Sequence, residues 1–225
     1  MTISEALTVD QAIDRMERLQ AALPPADGVA VFNRMYLRVT GLVRERLGAG
    51  YFADPAGMAE LDALFAARYL DAVEADGDGR RPASCWRPLF DLRSQPGIHP
   101  LQFALAGMNA HIEHDLPLSV LDTCRLLGHR PEDVRADYHR INDLLAQVES
   151  EVREELLPGA EALRAAGPLL HVLGVWSIDR ARDAAWATVE ALWELRHAPA
   201  VEDAVAVALS RSVGMTSRAL LTPME

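Results

Sequence analysis

Apolar residues recur at helical spacing along nearly the whole chain, and the breaks between these stripes are prolines and glycines placed where helices start and stop. Phe32, Tyr36, Val39, Val43 and Leu47 form one 3.6-residue stripe after Asp27-Gly28, closed by Gly48 and Gly50. Met58, Leu61, Phe65, Tyr69 and Val73 form a second, which starts at Asp54 with Pro55 in the favoured first position. Thr8 and Gln11 read as a capping box opening a first short helix that Pro24-Pro25 ends. Pro100, Pro131, Pro168 and Pro199 head further helices, and the segment Ala75 to Pro82 reads as a flexible loop. Pro117 is expected to end the helix begun at Pro100 and to start another through Leu126, and Pro158-Gly159 to break the chain again. The sequence contains no alternating strand pattern, internal repeat or low-complexity tract. The expectation is an all-α fold: one compact domain over residues 1–225, a bundle of about eight to ten helices without significant β structure.

Composition narrows what such a bundle can do. Half of the 225 residues are hydrophobic, enough for a sizeable core, which excludes a disordered chain. The net charge of -11, from 22 basic and 33 acidic residues, disfavours a grip on nucleic acid or anionic lipid. The first twenty residues carry Glu5, Asp10, Asp14 and Glu17 and lack the pattern of a signal peptide. No window approaches about 18 uncharged apolar residues, so no membrane span is expected. Cys85 and Cys124 have neither disulfide-framework nor zinc-box spacing. A cytoplasmic protein is therefore expected, with a small molecule as its partner and a homo-oligomer left open.

The informative residues are polar ones on apolar faces, because a buried polar group without a partner costs a few kcal/mol. Arg182 falls in the middle of the stripe His171, Val175, Ile178, Ala185, Val189. An arginine cannot shed its proton, so a carboxylate partner is expected, Asp62 first and Asp115 second. His111 and Asp115 are four residues apart, on the side of their helix that also carries Met108 and Ala104. A carboxylate at that spacing fixes the tautomer of the imidazole, and small Gly107 and Ala110 let a neighbour approach closely. Asn33, Tyr36 and Thr40 line up with Val29 and Val43, and Trp176 is placed to wall a pocket. Each group also has a structural reading, as a core hydrogen bond or a buried ion pair. His114 adds an H-x-x-H-D string but no zinc-protease helix, and Glu194-x-x-His197 lacks the second motif that di-iron bundles need. Phosphate-binding glycine loops and a G-x-S-x-G elbow are absent from the sequence.

The run from Phe103 to Ile112, FALAGMNAHI, followed by Asp115-Leu116-Pro117, resembles the signature of a bacterial family of unknown function common in actinomycetes. Phe32-Asn33 with Tyr36 and Thr40, Leu61-Asp62 with Phe65 and Tyr69, and Trp176 with Ala181-Arg182 extend the resemblance over most of the chain. It implies that Asn33, Asp62, Asn109, His111, Asp115 and Arg182 are the residues to watch and that His114 is peripheral, without supplying a reaction or a cofactor.

Two classes of function fit. The first is an enzyme acting on a hydrophobic small molecule in a buried pocket. His111, Asp115, Arg182 and Asp62 would carry acid–base chemistry, with Asn33, Tyr36, Tyr69, Asn109 and Trp176 binding the substrate. A variant places non-haem iron or manganese on His111, Asp115 and Asp62. The second class is a non-catalytic module that binds a small molecule or a protein, in which the same residues only specify the core. Under the enzymatic reading, His111→Ala and Asp115→Asn damage function without unfolding the chain.

Overall fold

The structure, a computed structural model, describes residues 7–156 and 177–223. Helices α1 (Val9–Ala22), α2 (Gly28–Gly48), α3 (Pro55–Gly77) and α4 (Arg87–Leu92) come first. Then follow α5 (Pro100–Ala110), a π-helical turn (His111–Asp115), α6 (Leu116–Leu127) and α7 (Pro131–Leu156). Two more close the chain, α8 (Ile178–Glu194) and α9 (Pro199–Leu220), and no strand occurs among the described residues. The fold is all-α as the periodicity predicts. The expected start of the eighth helix at Pro168 and the break at Pro158-Gly159 lie outside the described residues. No described helix is long and apolar enough to cross a membrane.

Local chemistry sets these boundaries. Thr8 and Gln11 close both halves of the capping box on α1. Asp27 caps α2 by accepting from the Val29 amide, and Asp54 caps α3 by accepting from the Gly57 amide, with Pro55 in the first turn. The α3 stripe runs to Gly77, so the expected loop over 75–82 is helical in its first part.

Helix α5 is the centre of the bundle. Every residue from Leu101 to Ala110 is buried, as a helix apolar on all sides must be, and it packs on α2, α4 and α9. Its approach to α2 is set by two reciprocal glycine–phenylalanine pairs. Phe103 of α5 lies over Gly28 of α2, where an added Cβ would meet the ring at 2.5 Å; Phe32 of α2 lies over Gly107 of α5, where it would meet the ring at 2.3 Å. Pairing 28 with 103 and 32 with 107 makes the two helices run in the same direction there. It also brings Phe32 against the π-turn, its ring 5.9 Å from that of His111.

Pro117 opens α6, as expected, but contrary to expectation the helical rod before it does not end. A proline has no N–H to give and its ring crowds the carbonyl four residues back. The chain absorbs this by widening one turn: the Leu116 amide donates to the His111 carbonyl, five residues back, and Pro117 falls in the first turn of α6, where a missing N–H needs no acceptor. His111 and Asp115 therefore sit within a continuous helical rod, at a π-turn of the kind that often marks functional sites.

Candidate functional site

Asp115 is the hub of the polar cluster. Its Oδ2 accepts from Trp86 Nε1 at 2.9 Å and from His111 Nδ1 at 3.0 Å, and its Oδ1 accepts from His114 Nδ1 at 2.7 Å. Burial alone would raise the pKa of this carboxyl, but the bonds from His111 and His114 outweigh it and hold Asp115 down at about 2. An ionised carboxylate only accepts, so both imidazoles carry their proton on Nδ1. For His111, burial lowers the pKa and Asp115 opposes that shift. A neutral ring results, with a bare lone pair on Nε2.

That Nε2 is buried and has no hydrogen-bond partner. Phe65 lies flat over the imidazole, centroids 3.5 Å apart, and Tyr36 meets it edge-on at 4.4 Å. His111 is 2% exposed, yet it is not sealed in solid packing: it lines an apolar cavity of about 100 Å³ between α2, α3, α5, α7 and α8. Tyr36 and Asp62 line the same cavity, and the Tyr36 hydroxyl and Asp62 Oδ2 are likewise buried without partners. Burial, with nothing to offset it, pushes the Asp62 carboxyl up to about 7. Three residues with an unpaired polar group thus line a cavity whose other side chains are mostly apolar, such as Val39, Leu61, Leu105 and Ile141.

Arg182 also lines this cavity and is 3% exposed, so its predicted burial holds. Its predicted partner does not. No carboxylate lies within salt-bridge distance of it among the described residues. Its Nε donates instead to Asn142 Oδ1 and its Nη2 to the Tyr138 carbonyl, while the guanidinium rests 4.1 Å from the centroid of the Tyr138 ring. Two acceptors and an aromatic face from α7 take the place expected for Asp62 or Asp115.

The other predicted residues divide. Asp115 stands behind His111 and not on the cavity wall. Asn33 does not line the cavity either: its amide donates to the Met16 carbonyl at 3.0 Å and to Gln20 at 2.9 Å, and its Oδ1 accepts from Tyr69 at 3.2 Å. Asn33 and Tyr69 thereby stitch α1, α2 and α3 together. Asn109 ties α5 to α9 through the Val213 carbonyl and Ser217 Oγ, both at 3.0 Å. Thr40 donates to the Tyr36 carbonyl at 3.0 Å. Trp176 lies outside the described residues. His114, expected to be peripheral, is 8% exposed and holds one oxygen of Asp115. Trp86 and Phe65 were not singled out as site residues, although a buried indole N–H normally signals a polar partner.

The expected metal triad of His111, Asp115 and Asp62 is not brought together. Among the described residues, the group whose ligand atoms all lie within 4.8 Å of one another is Cys85, His114 and Asp115. Both oxygens of Asp115 already accept hydrogen bonds, which an ion there would have to displace.

These features define an all-helical protein with an aspartate-anchored histidine beside an apolar cavity. The chain belongs to DUF5995, a family of unknown function, whose model matches residues 9–223. No curated protein and no solved structure matches it.

Proposed function

We propose that the cavity binds a small hydrophobic molecule and that His111, oriented by Asp115, exchanges a proton with the polar group of that molecule. The observation that carries this reading is that three residues lining one apolar cavity, His111, Tyr36 and Asp62, each hold a buried polar atom, Nε2, the hydroxyl and Oδ2, without a partner among the described residues. Buried polar atoms in native proteins are nearly always satisfied, and three of the five exceptions among the described residues belong to side chains that line this one cavity, which points to a missing hydrogen-bonding partner. Nε2 accepts a proton as general base, Asp115 stabilises the imidazolium that forms, and the Tyr36 hydroxyl or the protonated Asp62 carboxyl donates to developing negative charge. A cavity of about 100 Å³ is of the order of the engineered cavity of ~150 Å³ that takes benzene, so the buried part of the ligand is a single ring or a short chain.

p-Cresol and toluene, alike in shape but differing by one hydroxyl, test this. Binding is followed by the histidine ring nitrogens in 15N NMR spectra. p-Cresol is expected to bind more tightly than toluene and to shift His111 Nε2, with the preference for p-cresol over toluene lost in Tyr36→Phe/His111→Gln. If neither compound binds, or if p-cresol binds and leaves Nε2 unmoved, the reading is wrong.

A further inference from the structure

Arg182 is the one cation among the described residues lining the cavity, and no described carboxylate pairs with it. Its Nε and Nη2 are engaged by Asn142 and by the Tyr138 carbonyl, while Nη1 makes no hydrogen bond to any described residue. The carboxylates that act on it through space, Asp179 and Asp183, are exposed on its own helix and well screened by water. Asp62, the unpaired carboxyl of the same cavity, makes no bond to it. A guanidinium cannot neutralise itself, and a buried one without a counter-ion is strongly disfavoured unless a partner arrives.

We propose that the ligand of this cavity is a small hydrophobic carboxylic acid, bound with its carboxylate on Arg182 and its apolar body along the wall leading to His111. This rests on the reading of the cavity given above and adds the class of molecule it takes. Charge and donor count select a carboxylate. A phosphate or sulfate monoester carries more oxygens than one free Nη group can serve, and a dianion would need a second cation, which the described lining does not hold. Asp115, ionised just behind the wall, further opposes a doubly charged guest. An amine is excluded by repulsion from Arg182 itself. The acid's body then meets the apolar side chains that make up most of the wall, and whatever group it carries at its far end meets Nε2 of His111.

The test uses the full chain with 3-phenylpropionate and 3-phenylpropan-1-ol, which share ring and chain and differ only in the terminal group, titrated calorimetrically at about pH 6, where Asp62 keeps its proton and the acid probe is ionised. The wild type is expected to bind the acid about 10- to 100-fold more tightly than the alcohol, the increment of a charge-assisted hydrogen bond. Arg182→Met should bring the acid down to the affinity of the alcohol while the alcohol stays within about threefold of its wild-type value. Arg182→Lys keeps a cation and should retain a preference for the acid, which secures the comparison if the methionine variant does not fold. Equal binding of both probes by the wild type overturns the carboxylate inference and leaves the cavity reading standing. An acid preference that survives Arg182→Met places the carboxylate elsewhere and overturns it too. Binding of neither probe removes the cavity reading and this inference with it.

Discussion

Replacing Asp62 by asparagine should stabilise the protein above neutral pH and leave it nearly unchanged in acid. Asp62 is 7% exposed, its Oδ2 has no hydrogen-bond partner among the described residues, and burial raises its carboxyl from the ordinary 3.8 to about 7. The folded state therefore keeps this proton between about pH 4 and pH 7, where the unfolded chain has lost it. With more protons bound to the native than to the unfolded state, stability falls as pH rises, and the loss is complete once pH passes the folded pKa. About three pH units at roughly 1.4 kcal/mol each set a ceiling of about 4 kcal/mol. Asparagine has the shape of the neutral acid and cannot ionise, so whatever it costs to bury an unpartnered amide is the same at every pH. The pH-dependent part of the difference isolates the ionisation. Urea unfolding of both proteins at pH 4, 6 and 8 should show Asp62→Asn gaining on the wild type by up to about 4 kcal/mol over that range, most of it between pH 4 and 7. A difference that stays flat to within about 1 kcal/mol would mean that Asp62 is hydrated and ionised throughout, and the case for an unfilled cavity beside it would fail.

Asp115 should behave in the opposite sense. Its folded pKa of about 2 lies below the ordinary 3.8, so its contribution is present above pH 4 and is lost as pH falls through 2. Asp115→Asn should therefore cost roughly 2–3 kcal/mol in urea unfolding at pH 7 and much less at pH 2. A near-native melting temperature at pH 7 would refute the hub. Gly107→Ala drives a Cβ into the Phe32 ring at 2.3 Å and should cost about 1–3 kcal/mol, read as a drop in thermal midpoint. Phe32→Leu in the same chain should recover part of it, because the clash is with that ring.

The two residues expected to act as one functional pair thus separate. Spacing alone put His111 and Asp115 on one side of a helix, and they do bond. What it could not give was the rest of the shell around Asp115, because Trp86 stands at the start of α4, distant in the chain, and His114 reaches Asp115 through a π-turn that leaves no mark in the apolar stripe. With three donors converging on it, Asp115 holds helix to helix as well as orienting a histidine. Asp115→Asn can therefore no longer be expected to spare the fold.

Arg182 marks the same boundary between what a stripe encodes and what it does not. An arginine amid Ile178, Ala185 and Val189 has to be buried, and it is. Burial also requires partners for the guanidinium, but a sequence displays only side chains, and Arg182 takes a backbone carbonyl, an amide oxygen and a ring face, all from α7. The same is true of Asn33 and Asn109, read as ligand-binding residues but engaged by the carbonyls of Met16 and Val213. Main-chain acceptors are present at every position and so favour none. Polar residues on apolar faces therefore reveal which groups are buried, while the groups left without acceptors emerge only once the main chain is placed. Among the residues that line the cavity, subtracting those engaged elsewhere leaves His111, Tyr36, Asp62 and one edge of Arg182, and the proposed ligand site rests on this remainder.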